Sequence, residues 1–528
     1  MKRFGILSVT EALLRTRCSQ ISLRSISERG LGRFVAAYST SDAADKLHIC
    51  VVGSGPAGFY TVDRLLKRYG DKVHVSLLDR LPTPFGLVRS GVAPDHQDTK
   101  NVINQFSQVA SDPRVSFLGN VTVGQDVQLR ELRQLHHAVV LSYGAESDRR
   151  LGIPGEEGPG VLSAREFVWW YNGHPDARGL NLDLSKVRSV AICGIGNVAL
   201  DCCRALLAPP TRFQPTDMAA HALGQLLGAG AGPREVHLVA RRGPVQAACT
   251  PKELKELLSE CGVEAGTAAP DQLAVSEADA AEMKATRLKR RVHELVSKAV
   301  ADSLKRQQQG GAGERRLWFQ FYRNPVEVLR GPDGGVTGLR VERTAVRPGP
   351  EGGPAVAVGT GEYDTLPCQL VLKSIGYKSL PLQGVAFDSR RGVVPNVEGR
   401  VLQAVPEASS TAAPPPVDPG LYVVGWLKRG PTGIVGTNLV DAEETAASLG
   451  ADTEQLKKAA EVTHGSAGPA GLAGLRSLLS ERGVRVVNWG HWRRLDEHEV
   501  AVGQAAGRVR EKVTDVGEML RVCGLAAE

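Results

Sequence analysis

Apolar positions in this chain gather into short runs, and the strongest runs are followed by the same punctuation. Leu47 to Val52 reads as an apolar strand, followed by Gly53-Ser-Gly-Pro-Ala-Gly58 and then by Phe59 to Tyr69 at helical spacing. Val73 to Leu78 predicts a second strand ending on Asp79, and Ala138 to Ser142 another that runs into Tyr143-Gly-Ala145. The cadence restarts at Ser189 to Cys193, which enters Gly194-Ile-Gly-Asn-Val-Ala199 and a helix through Leu207. Glu235 to Ala240 then predicts a strand ending on Arg241-Arg-Gly243. Short apolar runs bounded by glycine and alternating with helical spacing predict parallel, doubly wound sheets. The expected fold class is therefore α/β, with two interleaved dinucleotide-binding (Rossmann-like) domains.

Further along, the pattern weakens. Residues 266–283 are rich in alanine and acid and read as a loose excursion. Trp318 to Arg323, Gly338 to Thr344 and Leu366 to Ser374 alternate like strands of an antiparallel layer. Glu407 to Pro419 reads as a Pro-rich flexible insertion. Leu421 to Trp426 predicts a strand leading into Gly430-Pro-Thr-Gly433, and Ile434 to Leu449 a helix. The tail from 455 reads as mostly helical, with Trp489 and Trp492 as packing residues.

Length and composition narrow the choice. At 528 residues the chain exceeds one core and fits two or three domains. No unbroken apolar run is long enough to predict a membrane span. Nine cysteines form no C-x-x-C pair and no zinc or iron–sulfur spacing, so no intrinsic metal centre is expected. Cys202 and Cys203 fall inside a helical pattern and read as packing residues. Residues 1–40 carry Lys2, Arg3, Arg15, Arg17, Arg24, Arg29 and Arg33 against only Glu11 and Glu28, with serine recurring. Such a stretch resembles a mitochondrial transit peptide, and it accounts for most of the net charge of +7.

The glycine turns carry the chemistry. Gly53 allows a tight turn, Gly55 lets the backbone approach a pyrophosphate, and Gly58 lets the helix pack on its strand. Asp79 closes the next strand, where ribose hydroxyls need an acidic partner. The second turn reads Gly194, Gly196, Ala199, and its ribose acid is missing. Arg241 and Arg242 stand there instead, which suits a 2′-phosphate and favours NADP over NAD. Two such sites in one chain bring a flavin and a nicotinamide face to face, and hydride transfer between them needs alignment. Trp426 either packs in the core or faces the flavin ring, with the helix after Gly433 aimed at that ring.

Several longer runs resemble the mitochondrial NADPH–adrenodoxin (ferredoxin) reductase family. They include Val52-Gly-Ser-Gly-Pro-Ala-Gly-Phe-Tyr60, Pro84-Phe-Gly-Leu-Val-Arg-Ser-Gly-Val-Ala-Pro-Asp-His96 and Trp169-Trp-Tyr-Asn-Gly173. Gly196-Asn-Val-Ala-Leu-Asp201, Ser374-Ile-Gly-Tyr-Lys378 and Trp426-Leu-Lys-Arg-Gly-Pro-Thr-Gly433 belong to the same likeness, which covers about 47 to 524. It implies an FAD domain at 46–148 and 367–528, interrupted by an NADP domain at 149–366. It implies FAD contacts from Ala57, Asp79, Leu87, Val123, Trp426, Gly433, Ile434 and Val435. It implies NADP contacts from Ile195, Gly196, Asn197, Val198, Arg241, Arg242, Glu253 and Gly433. His96 and Asp201 match a His–Asp pair near the flavin, although His96 after Asp95 also fits as a turn cap. Asp79 and Ile195 depart from the glutamate and glutamine usual at those places.

The resemblance further implies FAD and NADPH as cofactors and an acidic [2Fe–2S] ferredoxin as electron acceptor. It also implies a mitochondrial matrix location, supply of cytochrome P450 systems and iron–sulfur cluster assembly, and peripheral contact with the inner membrane. A monomer is expected because no apolar amphipathic seam stands out in the sequence. A basic docking face is expected on Lys255, Arg287, Arg290 and Arg291, although such a run also fits a solvated helix face. Nucleic acid is disfavoured because no aromatic residues interleave with these charges. A flavin disulfide reductase would need a redox cysteine pair, and a glutamate-synthase-type small subunit would need N-terminal iron–sulfur cysteines. The chain has neither. A flavin-bearing sensor that binds partners without turnover is the alternative of a different class.

Overall fold

The computed structural model describes residues 46–227, 232–310, 313–347, 356–406 and 415–525. The expected transit segment at 1–40 and most of the Pro-rich stretch near 410–416 lie outside the described residues.

The first domain opens with strands β1 (Leu47–Val52), β2 (Val73–Leu78), β3 (Val115–Leu118) and β4 (Ala138–Leu141). The helix Pro56–Tyr69 connects β1 to β2, with Pro56 in its first turn where a missing N–H costs nothing. A short strand β5 (Ser147–Asp148) leads out to β6 (Val161–Ser163), β7 (Ser189–Cys193), β8 (Glu235–Ala240), β9 (Glu264–Thr267) and β10 (Arg316–Phe321). Next come β11 (Arg323–Arg330), β12 (Val336–Arg347), β13 (Val356–Pro367), β14 (Leu370–Lys373) and β15 (Tyr377–Lys378). The chain then returns through β16 (Asn396–Val397), β17 (Arg400–Leu402) and β18 (Val417–Val423) to complete the first sheet.

The first sheet runs β16-β17-β18-β4-β1-β2-β3, and β18, β4, β1, β2 and β3 are parallel. The second runs β6-β14-β7-β8-β10-β9 and is parallel throughout. In each, the strand before a glycine turn lies where the strand order reverses direction, β1 beside β4 and β7 beside β14. Ligands of open α/β sheets bind in the crevice at such a point. Each sheet is packed on both faces, so β1 and β7 are almost wholly buried. Two segments cross between the domains, and they pair as β5 and β15, with Tyr377 opposite Asp148.

Three expectations need correction. Trp318 to Arg323 and Leu366 to Ser374 do not form an antiparallel layer, because β10 and β14 are parallel members of the second sheet. Alternation along a strand reports which faces are buried and says nothing of a neighbour's direction. Among the described residues, β11, β12 and β13 make a three-stranded antiparallel sheet. For the same reason the second domain does not stop at residue 366, since Leu370–Lys373 pairs with β6 and β7. Residues 266–283 are not loose either. They include the end of edge strand β9 and most of the helix Glu277–Ala285, started by a reciprocal cap between Ser276 and Asp279.

The tail is helical as expected, in Thr437–His464, Gly471–Glu481, Trp489–Ala505 and Val516–Val522. Trp492 is buried and meets Phe85 edge-on at 5.8 Å. Cys202 and Cys203 are both fully buried. Among the described residues, no helix is long and apolar enough to cross a membrane.

Candidate active site

The first glycine turn follows from sterics at three positions. Gly53 has φ +107°, and a Cβ there would lie 2.6 Å from the Ser142 carbonyl oxygen. At Gly58 a Cβ would lie 2.0 Å from the Gly53 carbonyl oxygen, so helix and turn touch backbone to backbone. Gly55 is different: nothing lies within 4 Å of its Cβ position. The helix begins there without a side-chain cap, so its first N–H groups face open space suited to a pyrophosphate. Asp79 stands at the end of β2, where its Oδ2 accepts from the Ser54 N–H at 2.9 Å and the Ser54 hydroxyl at 2.5 Å. That carboxylate therefore borders the turn, as a ribose ligand must.

Other parts of the chain close around this turn. Leu87 opens the short helix Leu87–Ser90, directly after Gly86, whose Cβ position lies 3.0 Å from the Gly55 Cα. Gly425 has φ +72°, and a Cβ there would lie 2.6 Å from the Ala57 Cβ, which seats the Gly425–Trp426 corner on the first helix. The Trp426 ring lies 5.8 Å from that of Tyr377, tilted by 30°. Val123 is half-buried against the cluster that includes Leu118 and Val121. Gly433 has φ +84°, Ile434 is 70 % exposed and Val435 packs beside the first domain's core. The helix after them starts at Thr437, three residues later than expected, and no side chain caps it.

The second turn repeats the scheme. Gly194 has φ +120°, and its Cβ position lies 2.2 Å from the Ser374 carbonyl oxygen. Gly196 has nothing within 4 Å, and the helix Asn197–Leu207 begins beyond it uncapped. Ala199 is fully buried and Val198 half-buried, while Ile195 is buried with its carbonyl accepting from the Ala248 N–H at 3.1 Å. Asn197 Oδ1 accepts from the Thr250 N–H at 2.8 Å, tying the turn to the helix Pro251–Glu260 that carries Glu253. Arg241 is exposed and Arg242 half-buried directly after β8, with no acid beside them in sequence. Both turns thus offer a glycine with free space before an uncapped helix, and the residues present fit two dinucleotides.

A charged cluster joins the loop at Asp95 and His96 to the helices Asn197–Leu207 and Pro251–Glu260. His96 Nε2 is 3.0 Å from Glu256 Oε2 and 3.6 Å from Glu253 Oε2. His96, Asp201 and Glu253 bring their polar atoms within 4.8 Å of one another. Burial pushes the Asp201 carboxyl up to about 6, with Arg204 and His96 opposing that push. At Asp95 burial acts the same way, but Arg204 and Arg212 outweigh it and hold the carboxyl below its usual range. Glu256, Arg204, Arg212 and Asp95 were not singled out from the sequence. The signal was a pair of three-residue steps, Asp201 to Arg204 and Glu253 to Glu256, that put two charges on one helix face.

The basic residues expected to dock a partner are all exposed. Lys255 stands on Pro251–Glu260, and Arg287, Arg290 and Arg291 on Arg287–Gln308, which packs against it. Arg290 and Arg291 share Glu294 at 3.8 and 3.3 Å.

Comparison with known proteins agrees with this geometry. Residues 47–293 match the pyridine nucleotide-disulphide oxidoreductase family. The mitochondrial NADPH:adrenodoxin oxidoreductase of Arabidopsis thaliana is 47% identical over 496 residues, covering 93% of this chain and 99% of that protein. The human protein of that name is 45% identical over 497 residues, covering 93% and 94%. Among solved structures, Mycobacterium tuberculosis FprA in complex with NADPH superposes with a TM-score of 0.80 at 38% identity, covering 90% and 99%. Identity of this extent over nearly the whole length settles kinship: the chain belongs to the NADPH:adrenodoxin oxidoreductase family.

Proposed function

We propose that this protein takes hydride from NADPH onto FAD and passes single electrons to an acidic [2Fe–2S] ferredoxin in the mitochondrial matrix. Family membership makes it an NADPH-dependent flavoprotein reductase, with FAD and NADPH as its cofactors. Bound in the first domain, FAD supplies the two-electron to one-electron conversion that joins a nicotinamide to a one-electron acceptor.

The protein's own part is binding and alignment. The turn at Gly53, Gly55 and Gly58 holds a pyrophosphate on helix N–H groups, and Asp79 takes the adjoining ribose. Ala57, Leu87, Val123, Trp426, Gly433, Ile434 and Val435 complete that site. The turn at Gly194, Gly196 and Ala199 does the same for NADPH, with Ile195, Asn197, Val198 and Glu253 around it. Arg241 and Arg242 carry the reading, because they stand where NAD sites place an acid and they bind a 2′-phosphate. On this reading His96 and Asp201 would hold charge and protons at the junction of the two sites.

The exposed Lys255, Arg287, Arg290 and Arg291 give a local positive face to steer an acidic partner. Supply of cytochrome P450 systems and of iron–sulfur assembly follows from the same acceptor. The test is visible absorbance during NADPH addition, with and without a mitochondrial [2Fe–2S] ferredoxin. Rapid flavin bleaching and then ferredoxin reduction, weakened by salt and slow with NADH, is expected. A bleached flavin that never reduces ferredoxin would favour a sensor or another FAD/NADPH reductase.

A further inference from the structure

Arg204 is the largest side chain that solvent does not reach in the described structure. It projects from the helix Asn197–Leu207 of the second domain. Its Nε and Nη2 donate to the two Asp95 oxygens at 2.9 and 3.2 Å, and Nη2 also donates to Asp201 at 2.8 Å. Nη1 donates to Glu253 at 3.2 Å, and Glu256 lies 3.7 Å from Nε. Asp95 comes from the first domain's segment of chain and also accepts from Arg212 Nε at 2.8 Å.

The flanks of Asp95 matter as much. His96 follows it and faces Glu256 and Glu253 of the second domain. Gln97 Nε2 and Lys100 Nζ then donate to Asp217, again of the second domain, at 2.9 and 2.7 Å. So His96 is anchored to the second domain on both sides, although it lies before the first crossover. Breaking buried pairs of this kind leaves uncompensated charge, so these contacts hold the segment to the second domain.

We infer that Arg204 is a positioning residue for hydride transfer: its forked guanidinium locks His96, Asp201 and Glu253 into one arrangement between the two glycine turns. The inference rests on the reading above that places both cofactors at this junction. It follows that Arg204 governs the transfer rate more than the affinity for NADPH. Lysine does not replace it, because a single ammonium has no planar fork to span Asp95, Asp201 and Glu253 together. The groups facing Asp201 are Arg204, Cys202 and Cys203 on its own helix, His96 and Asp95 from the loop, Glu253, Tyr171 and Tyr377. Arg204 opposes the upward push of burial on Asp201, so displacing its charge moves that ionisation toward higher pH.

The test uses FAD-loaded full chain, Arg204→Lys and Asp95→Asn, with stopped-flow flavin reduction by NADPH across pH and ferricyanide as acceptor. Expected are retained flavin, NADPH dissociation constants within about threefold of the parent, and reduction rates lowered roughly tenfold or more. The acid limb of the rate profile moves to higher pH in Arg204→Lys. A flavin-loaded variant with the parental rate and profile overturns the inference, as does weakened NADPH binding with an intact transfer rate. If Arg204→Lys does not retain flavin, Asp95→Asn decides by the same outcomes. Failure of the parent's flavin to be reduced by NADPH would instead sink the underlying reading, and ferricyanide keeps the result independent of any ferredoxin.

Discussion

Arg89 and Glu499 stand 410 positions apart and meet as a two-pronged buried pair, Nη2 to Oε1 at 2.6 Å and Nη1 to Oε2 at 2.9 Å. Glu499 also takes Arg510 at 3.2 Å and the Val513 N–H at 2.9 Å. The C-terminal helices are thereby riveted to the first domain beside the loop that carries His96.

Removing one partner leaves the other's charge buried, so Glu499→Gln should destabilise by about 3–5 kcal/mol. Urea unfolding followed by tryptophan fluorescence checks this, and a loss near zero would refute it. Burial pushes the Glu499 carboxyl up, but Arg89, Arg510 and the Val513 N–H outweigh it and hold the carboxyl below its usual range. A depressed carboxylate stabilises fully above its unfolded value of about 4.3 and loses that contribution as pH falls through the folded value. The gap between parent and variant should therefore narrow in acid.

Two glycines of one turn should fail differently. Gly58→Ala forces a Cβ to 2.0 Å from the Gly53 carbonyl oxygen, so the backbone shifts and both stability and flavin content fall. Gly55→Ala meets nothing within 4 Å and has φ −79°, so folding is kept. Its stability changes by less than about 1 kcal/mol, while flavin occupancy drops because the methyl fills the pyrophosphate's space. Thermal unfolding of the apo-proteins, set against flavin absorbance after reconstitution, separates the two.

Arg241→Ala and Arg242→Ala each remove a cation from the expected 2′-phosphate site. A charged hydrogen bond of about 1.5–3 kcal/mol corresponds to a roughly 10- to 100-fold loss in kcat/KM for NADPH. Rates with NADH should stay as they were. Steady-state ferricyanide reduction with both nucleotides measures this, and an equal loss for NADH would refute it.

Neutralising the exposed face in a double variant, Arg290→Gln with Arg291→Gln, should raise KM for ferredoxin about tenfold at low salt and much less at high salt. Ferricyanide reduction should not change, since these side chains lie on the outer helix Arg287–Gln308. Unchanged ferredoxin kinetics would move docking elsewhere.

Parts of this molecule were legible in the sequence because they answer to local rules. Gly53 and Gly194 answer to the positive φ of their own tight turns and Gly58 to the Gly53 carbonyl beside it, so G-x-G patterns after apolar runs located both turns. Arg241 and Arg242 follow β8 directly, as the apolar run before them predicts. Resemblance over long runs brought His96 and Asp201 together before any contact was visible.

The remainder depends on partners far away in the chain. β10 and β14 read as antiparallel because periodicity records buried faces, whereas a strand's direction is set by the element it pairs with. Nothing in the pattern of its own helix marks Arg204 for burial, which makes sense only once Asp95 and Glu253 are brought to it from other segments. The sequence by itself determined the two glycine turns and the helices behind them, since these follow from backbone sterics. Only the tertiary structure decided which sheet each later strand joins and which charges are buried together, because desolvation and pairing energies exist only where distant segments meet.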